Sequence, residues 1–104
     1  MFIKVAADGS VSLEDRDNFR AFKLVVEGGP ARLDQARRAL NGAAEIPDQS
    51  IAWIYEQALR QRPEVVGDAA WQSNLSAMIE KAKPHGWVDE AKKAIRAHIE
   101  WTEK

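Results

Sequence analysis

The apolar residues between Trp87 and Lys104 follow a spacing that predicts an amphipathic helix. At the α-helical step of about 100° per residue, they gather on one side of the axis over roughly 160°. These residues are Trp87, Val88, Ala91, Ala94, Ile95, Ile99 and Trp101. A surface helix needs an apolar stripe of only about 100°. We therefore expect several neighbouring helices to cover this one.

Helical spacing also occurs in four earlier segments, each bounded by residues that start or stop helices. Pro30 suits the first position of a helix, Gly42 suits the end of one, and Asp68 is a typical N-cap residue. The sequence predicts helices over about 13–28, 30–41, 48–62, 68–83 and 87–103.

The first 13 residues allow two local structures. A β-prone segment, Phe2–Val5, precedes the turn signal Asp8-Gly9-Ser10, which favours a short hairpin over residues 1–13. The alternative is a helical turn that starts at Phe2 and ends at Gly9. The fold that we expect is mostly α: a single-domain bundle of four to five helices with a possible short N-terminal β-hairpin.

Composition restricts the function classes. The chain has 104 residues, which suits one domain. It has no cysteine, which excludes a disulfide framework and a thiolate metal site. Charged residues make up 30% of the chain and the net charge is −1, without the clustered positive charge of a nucleic-acid domain. Nucleic acid is therefore an unlikely partner. We found no long apolar run or signal-peptide pattern, so we expect a cytoplasmic protein without membrane contact.

We expect no catalytic residue, and the alternative is His98, because it lies near the middle of the apolar arc predicted for the last helix. In an apolar cleft, burial lowers the pKa of an imidazole, which can then act as a general base. The other interpretation is a structural histidine at the edge of the core. Glu100, two residues on, points elsewhere on a helix and cannot partner His98. We lean against an enzyme and expect no cofactor.

A metal site is not expected either. The Glu-x-x-His spacing of helical di-iron proteins is absent at both histidines, because Ala82 precedes His85 and Ile95 precedes His98 at the required position.

Trp53 is the candidate interface residue. On the helix predicted for residues 48–62 it lies about 160° from Tyr55, on a charged face. Tryptophan and arginine are over-represented among interface hot spots, so Trp53 and Arg60 form a candidate pair. The alternative is that the N-terminal segment covers Trp53 within the chain.

A second candidate site lies between the last two predicted helices. Its apolar lining would come from Trp71, Met78, Trp87 and Trp101, with His98 as the polar anchor for a small apolar ligand. Our leading hypothesis is a protein-interaction or self-associating module, with a homodimer as the simplest assembly. The alternative is a small-ligand-binding protein or a modest enzyme that uses this pocket.

Overall fold

A mixed, seven-stranded sheet forms the framework of the protein in a computed structural model, which describes residues 1–102. Its strands are β1 (Phe2–Val5), β2 (Val11–Glu14), β3 (Lys23–Glu27), β4 (Ala44–Glu45), β5 (Ile51–Tyr55), β6 (Val88–Asp89) and β7 (Ala94–Thr102). The helices of this part of the chain are α1 (Leu33–Ala39), α2 (Glu56–Arg60) and α3 (Ala69–Ala82), with short 3₁₀ turns at Pro30–Arg32 and Lys83–His85. The expected mostly α bundle is therefore wrong.

The largest correction concerns the helix predicted over 87–103. The structure has β6, a turn and β7 there; position 103 lies outside the described residues. In β7 the buried side chains of Ile95, Ala97 and Ile99 alternate with the exposed side chains of Arg96 and His98. This period of two is the signature of a strand with one covered face.

Two other predicted helices are largely replaced by strands. Residues 13–28 contain the end of β2, a turn and β3, and residues 48–62 contain β5 followed by the short helix α2. The segment 30–41 holds a 3₁₀ turn and α1, while α3 lies within 68–83. At its start Asp68 is the N-cap, and its side chain accepts a hydrogen bond from the backbone N–H of Trp71 at 3.0 Å.

The N-terminal segment is a hairpin rather than a helical turn. Strands β1 and β2 pair antiparallel, from Phe2 opposite Glu14 to Val5 opposite Val11. The turn between them contains Gly9 with φ of +88°, a conformation that glycine adopts without strain.

Strand β7 joins the two halves of the sheet. The strand order is β2-β1-β3-β7-β5-β4, and β6 pairs with β7 outside this path. On one side β7 runs parallel to β3, with His98 opposite Lys23. On the other side it runs antiparallel to β5, with His98 opposite Ile51. Each half therefore depends on β7 for its place in the sheet.

The three helices contribute to one core, which lies against a single face of the sheet. Leu24, Ala52 and Ile95 from the strands share a buried cluster with Leu75 and Ile79 of α3. No helix within residues 1–102 combines the length and the apolar character needed to cross a membrane. The described part of the chain places no helix over the other face of the sheet.

Candidate functional site

The face of the sheet opposite the helices is the candidate functional surface, and we call it the open face. Strand register places on it every second side chain of β1, β2, β3 and β5, those of β7 from Arg96 onward, and one of β4. Its residues are Phe2, Lys4, Ser12, Glu14, Lys23, Val25, Glu27, Glu45, Ile51, Trp53, Tyr55, Arg96, His98, Glu100 and Thr102.

A groove of about 420 Å³ runs over the β1–β3–β7 part of the open face. Its lining residues are Phe2, Lys4, Glu14, Lys23, Val25, Glu27, Glu100 and Thr102. Val25 is only 7% exposed and lies between charged neighbours. The exposed lining of the groove is therefore mostly apolar, and it carries charged groups as well.

Two ion pairs lie along the groove. The Lys4 ammonium lies 3.5 Å from the Glu27 carboxylate, and the Lys23 ammonium lies 3.3 Å from that of Glu100. Lys23 also lies 5.7 Å from the centroid of the Phe2 ring, within cation–π range. Exposed ion pairs of this kind stabilise a fold only slightly. Breaking them to form ion pairs with a binding partner therefore costs little free energy.

A second charged cluster lies where β4 and β5 meet the turn after β6. The Lys92 ammonium donates to the Glu45 carboxylate at 2.7 Å, which lowers the pKa of Glu45 and raises the pKa of Lys92. Desolvation and the neighbouring Glu45 charge raise the pKa of the Tyr55 phenol. These shifts favour the charged carboxylate and ammonium and the neutral phenol.

The edge of the sheet at β2 is closed by side chains. Arg62 donates to the backbone C=O of Val11 at 2.9 Å, and the Glu64 carboxylate accepts from the backbone N–H of Leu13 at 2.8 Å. These bonds occupy outward-facing backbone groups that an added strand would need.

The edge at β4 and β5 is closed in a similar way. Arg37 of α1 donates to the backbone C=O of Ile46 at 3.0 Å. The Asp48 carboxylate accepts from the backbone N–H groups of Ser50 at 2.7 Å and Ile51 at 3.2 Å. Because side chains occupy both edges, we take the open face as the candidate surface for a partner.

The structure separates the predicted interface pair. Trp53 is partly exposed on the open face, opposite Arg96 in the neighbouring strand. Arg60 lies at the end of α2 on the helix side, where it forms an ion pair with Glu56 at 2.8 Å and donates to Gln72 of α3.

The five residues of the predicted pocket are also not brought together. Trp71 is 2% exposed in the core, and Met78 packs at the margin of that core. Trp101 packs there too, and its indole N–H donates to the backbone C=O of Gln49 at 2.8 Å. His98, by contrast, is exposed on the open face, across the sheet from Trp71.

The fifth residue, Trp87, lies at the surface after α3. Its side chain is 45% exposed, and its ring stacks on that of His85 with centroids 4.3 Å apart. The pocket expected between the last two predicted helices does not form, because the second of those segments is the strand β7.

Sequence reasoning missed the groove residues Phe2, Lys23 and Val25. The signal that would have found them is alternation along the strands. In β1 the buried residues Ile3 and Val5 alternate with Phe2 and Lys4 of the open face. In so short a segment, a period of two cannot be distinguished from a helical spacing of the same residues.

Neither a metal cluster nor a relative identifies the site. Within residues 1–102, no group of three or more histidine, aspartate or glutamate side chains is placed to hold a metal ion. Comparison of the chain with protein-family models, with curated proteins and with solved structures gave no match.

Proposed function

We propose that the protein is a cytoplasmic self-associating module, in which the open face of one copy packs against the open face of a second copy. The observation that carries this proposal is that the two faces of the sheet are not covered equally. One face is covered by the helices of the chain itself and both edges are occupied by its side chains, while residues 1–102 leave the open face uncovered. Partly exposed apolar residues lie on that face, among them Phe2, Ile51 and Trp53.

The charge distribution favours a second copy as the occupant. A symmetric dimer brings the same patch together with itself, so the patch must be complementary to itself. The open face carries both cations, such as Lys4 and Arg96, and carboxylates, such as Glu14 and Glu100. Cations of one copy can therefore face carboxylates of the other, whereas a face of one sign would repel itself.

A single-stranded nucleic acid fits the open face less well. Aromatic side chains on an open sheet are used to stack bases, but the surrounding groove is then strongly positive. Here Glu27 and Glu100 pair with the lysines of the groove, and Glu45 pairs with Lys92. Little free positive charge is left to attract phosphates.

The first prediction concerns Trp53, the largest apolar side chain on the open face. Substitution Trp53→Ala should weaken self-association by about 30-fold, because a buried interface tryptophan contributes about 2 kcal/mol or more. Sedimentation velocity over a range of protein concentrations measures the change. The matched control is Trp87→Ala, which removes an exposed tryptophan that lies outside the open face.

Two results would contradict this proposal. A wild-type chain that stays monomeric at about 100 µM would show an affinity too weak for a stable module. Equal weakening by Trp53→Ala and Trp87→Ala would place the contact elsewhere. Association of the wild type with an oligonucleotide, sensitive to salt, would replace the second copy with a nucleic acid.

The groove supports a second candidate function, the binding of a small amphipathic ligand. Its volume of about 420 Å³ falls in the range of ligand pockets. The prediction is that compounds with an apolar body and a polar end raise the Tm of a Trp53→Ala monomer. Val25→Trp should abolish that shift, because the larger side chain fills the groove. A shift that survives Val25→Trp would place the compound outside it.

A further inference from the structure

The outer edge of β2 has the hydrogen-bonding requirements of an unpaired strand. Within residues 1–102, β2 lies at the end of the sheet and β1 is its one pairing partner. In an antiparallel pair, the backbone groups of alternate residues point away from the partner. The C=O of Val11 and the N–H of Leu13 are two such outward groups, and they flank Ser12. A strand added at this edge would bond to both.

Two side chains already fill these positions. Arg62 supplies the donor to Val11 at 2.9 Å, and Glu64 supplies the acceptor to Leu13 at 2.8 Å. The two are also joined to each other by a pair of hydrogen bonds, with Arg62 Nε at 3.1 Å and Nη2 at 3.0 Å from the Glu64 carboxylate. This two-point contact fixes the orientation of both groups.

The segment that carries Arg62 and Glu64 is also held in place by contacts outside β2 itself. The backbone N–H of Val65 donates to the C=O of Arg62 at 3.0 Å, which closes a turn. Arg16 donates to the backbone C=O of Glu64 at 3.1 Å and to the Asp68 carboxylate at 3.0 Å. The donor and the acceptor are therefore presented to β2 by a fixed support.

We infer that Arg62 and Glu64 form a clip that stands where a further strand would lie, and that it keeps β2 closed to strand addition by a second copy of the chain. The second copy fits because antiparallel pairing of two β2 strands about Ser12 is symmetric. In that register the Leu13 N–H of each copy meets the Val11 C=O of the other. This inference concerns the edge of the sheet and does not depend on the open face.

The test opens the clip in a background from which the proposed open-face contact has been removed. In Trp53→Ala protein, the added change Glu64→Ala should strengthen self-association by at least about 10-fold, measured by light scattering against concentration. The matched control is Glu80→Ala, which removes a carboxylate whose ion pair with Lys83 lies at the C-terminal end of α3. Equal association of the two variants would overturn the inference.

A third substitution tests the register of the new contact. Ser12→Lys, added to Glu64→Ala, places two like charges opposite each other in the symmetric β2 pair and should return the protein to its unassociated state. Association that persists after Ser12→Lys would show that the opened clip does not lead to pairing of β2 about Ser12.

Hydrogen exchange of the Leu13 amide can still be measured if a substitution at Glu64 modestly destabilises the fold. At low concentration it should exchange at least about 10-fold faster in Glu64→Ala than in Glu64→Gln, because the glutamine side chain retains an acceptor for this N–H. At high concentration the protection of Glu64→Ala should return as the second strand binds. Equal exchange in both variants at every concentration would show that Glu64 does not guard this edge.

Discussion

At the residue scale, Trp71 connects α3 to the loop between β2 and β3. It is 2% exposed, and its ring lies 5.8 Å from that of Phe19. Its backbone N–H donates to Asp68 at 3.0 Å, and its indole N–H donates to the backbone C=O of Arg16 at 2.8 Å. Apolar burial and two hydrogen bonds therefore act together at one position.

The prediction for this position is that Trp71→Phe lowers the free energy of unfolding by about 2–4 kcal/mol. The smaller ring leaves a cavity, and the C=O of Arg16 loses its partner. Urea unfolding followed by circular dichroism measures the loss. Trp87→Phe at the exposed tryptophan should change stability by less than about 0.5 kcal/mol. Similar losses in both variants would contradict this account.

Residue-scale inference from the sequence was sound where it depended on apolarity alone. Ile95 and Ile99 are buried whichever element contains them, because their transfer from water is favourable in either case. The neighbours of a residue depend on the element as well. His98 was placed in an apolar arc by the helical step, and the period of a strand moves it to the open face.

At the element scale, the overly wide apolar arc of residues 87–103 was itself the sign of the error. Alternating apolar residues, when plotted at the helical step, spread round the axis instead of forming a stripe. Ile95, Ala97 and Ile99 alternate in this way along β7. The segment of α3, with its Asp68 cap, shows a true helical period, and there the structure has a helix.

The clip at β2 leads to an element-scale prediction about pH. Burial opposes ionisation of Glu64, but the hydrogen bonds from Arg62 and from the Leu13 N–H outweigh it and hold the pKa of this carboxyl below its ordinary value. A folded-state pKa below the unfolded value gives stability at neutral pH. That contribution is lost as the pH falls below the unfolded value of about 4.3 and through the folded one.

The variant Glu64→Gln isolates this contribution. It should be less stable than the wild type at pH 7, and the gap should narrow as the pH is lowered below about 4. Urea unfolding at a series of pH values gives both curves. A gap that stays constant over this range would show that the ionisation of Glu64 is not linked to folding.

At the scale of the whole molecule, the sheet order was beyond reach of local patterns. Strand β7 lies between β3 and β5, so its pairing partners are roughly 75 and 40 residues away in the chain. Periodicity reports which face of an element is apolar, but it carries no information about which strands pair. The groove depends on that order, because its residues come from β1, β2, β3 and β7.

The position of β7 also bears on the synthesis of the protein. Until residues 94–102 have left the ribosome, no strand lies between the β1–β2–β3 part and the β4–β5 part of the sheet. Apolar residues that β7 covers in the finished protein are then still exposed, and chaperones and proteases can reach them. A stop codon before Ala94 would remove the strand that connects the two parts of the sheet, which is a larger loss than its nine residues suggest.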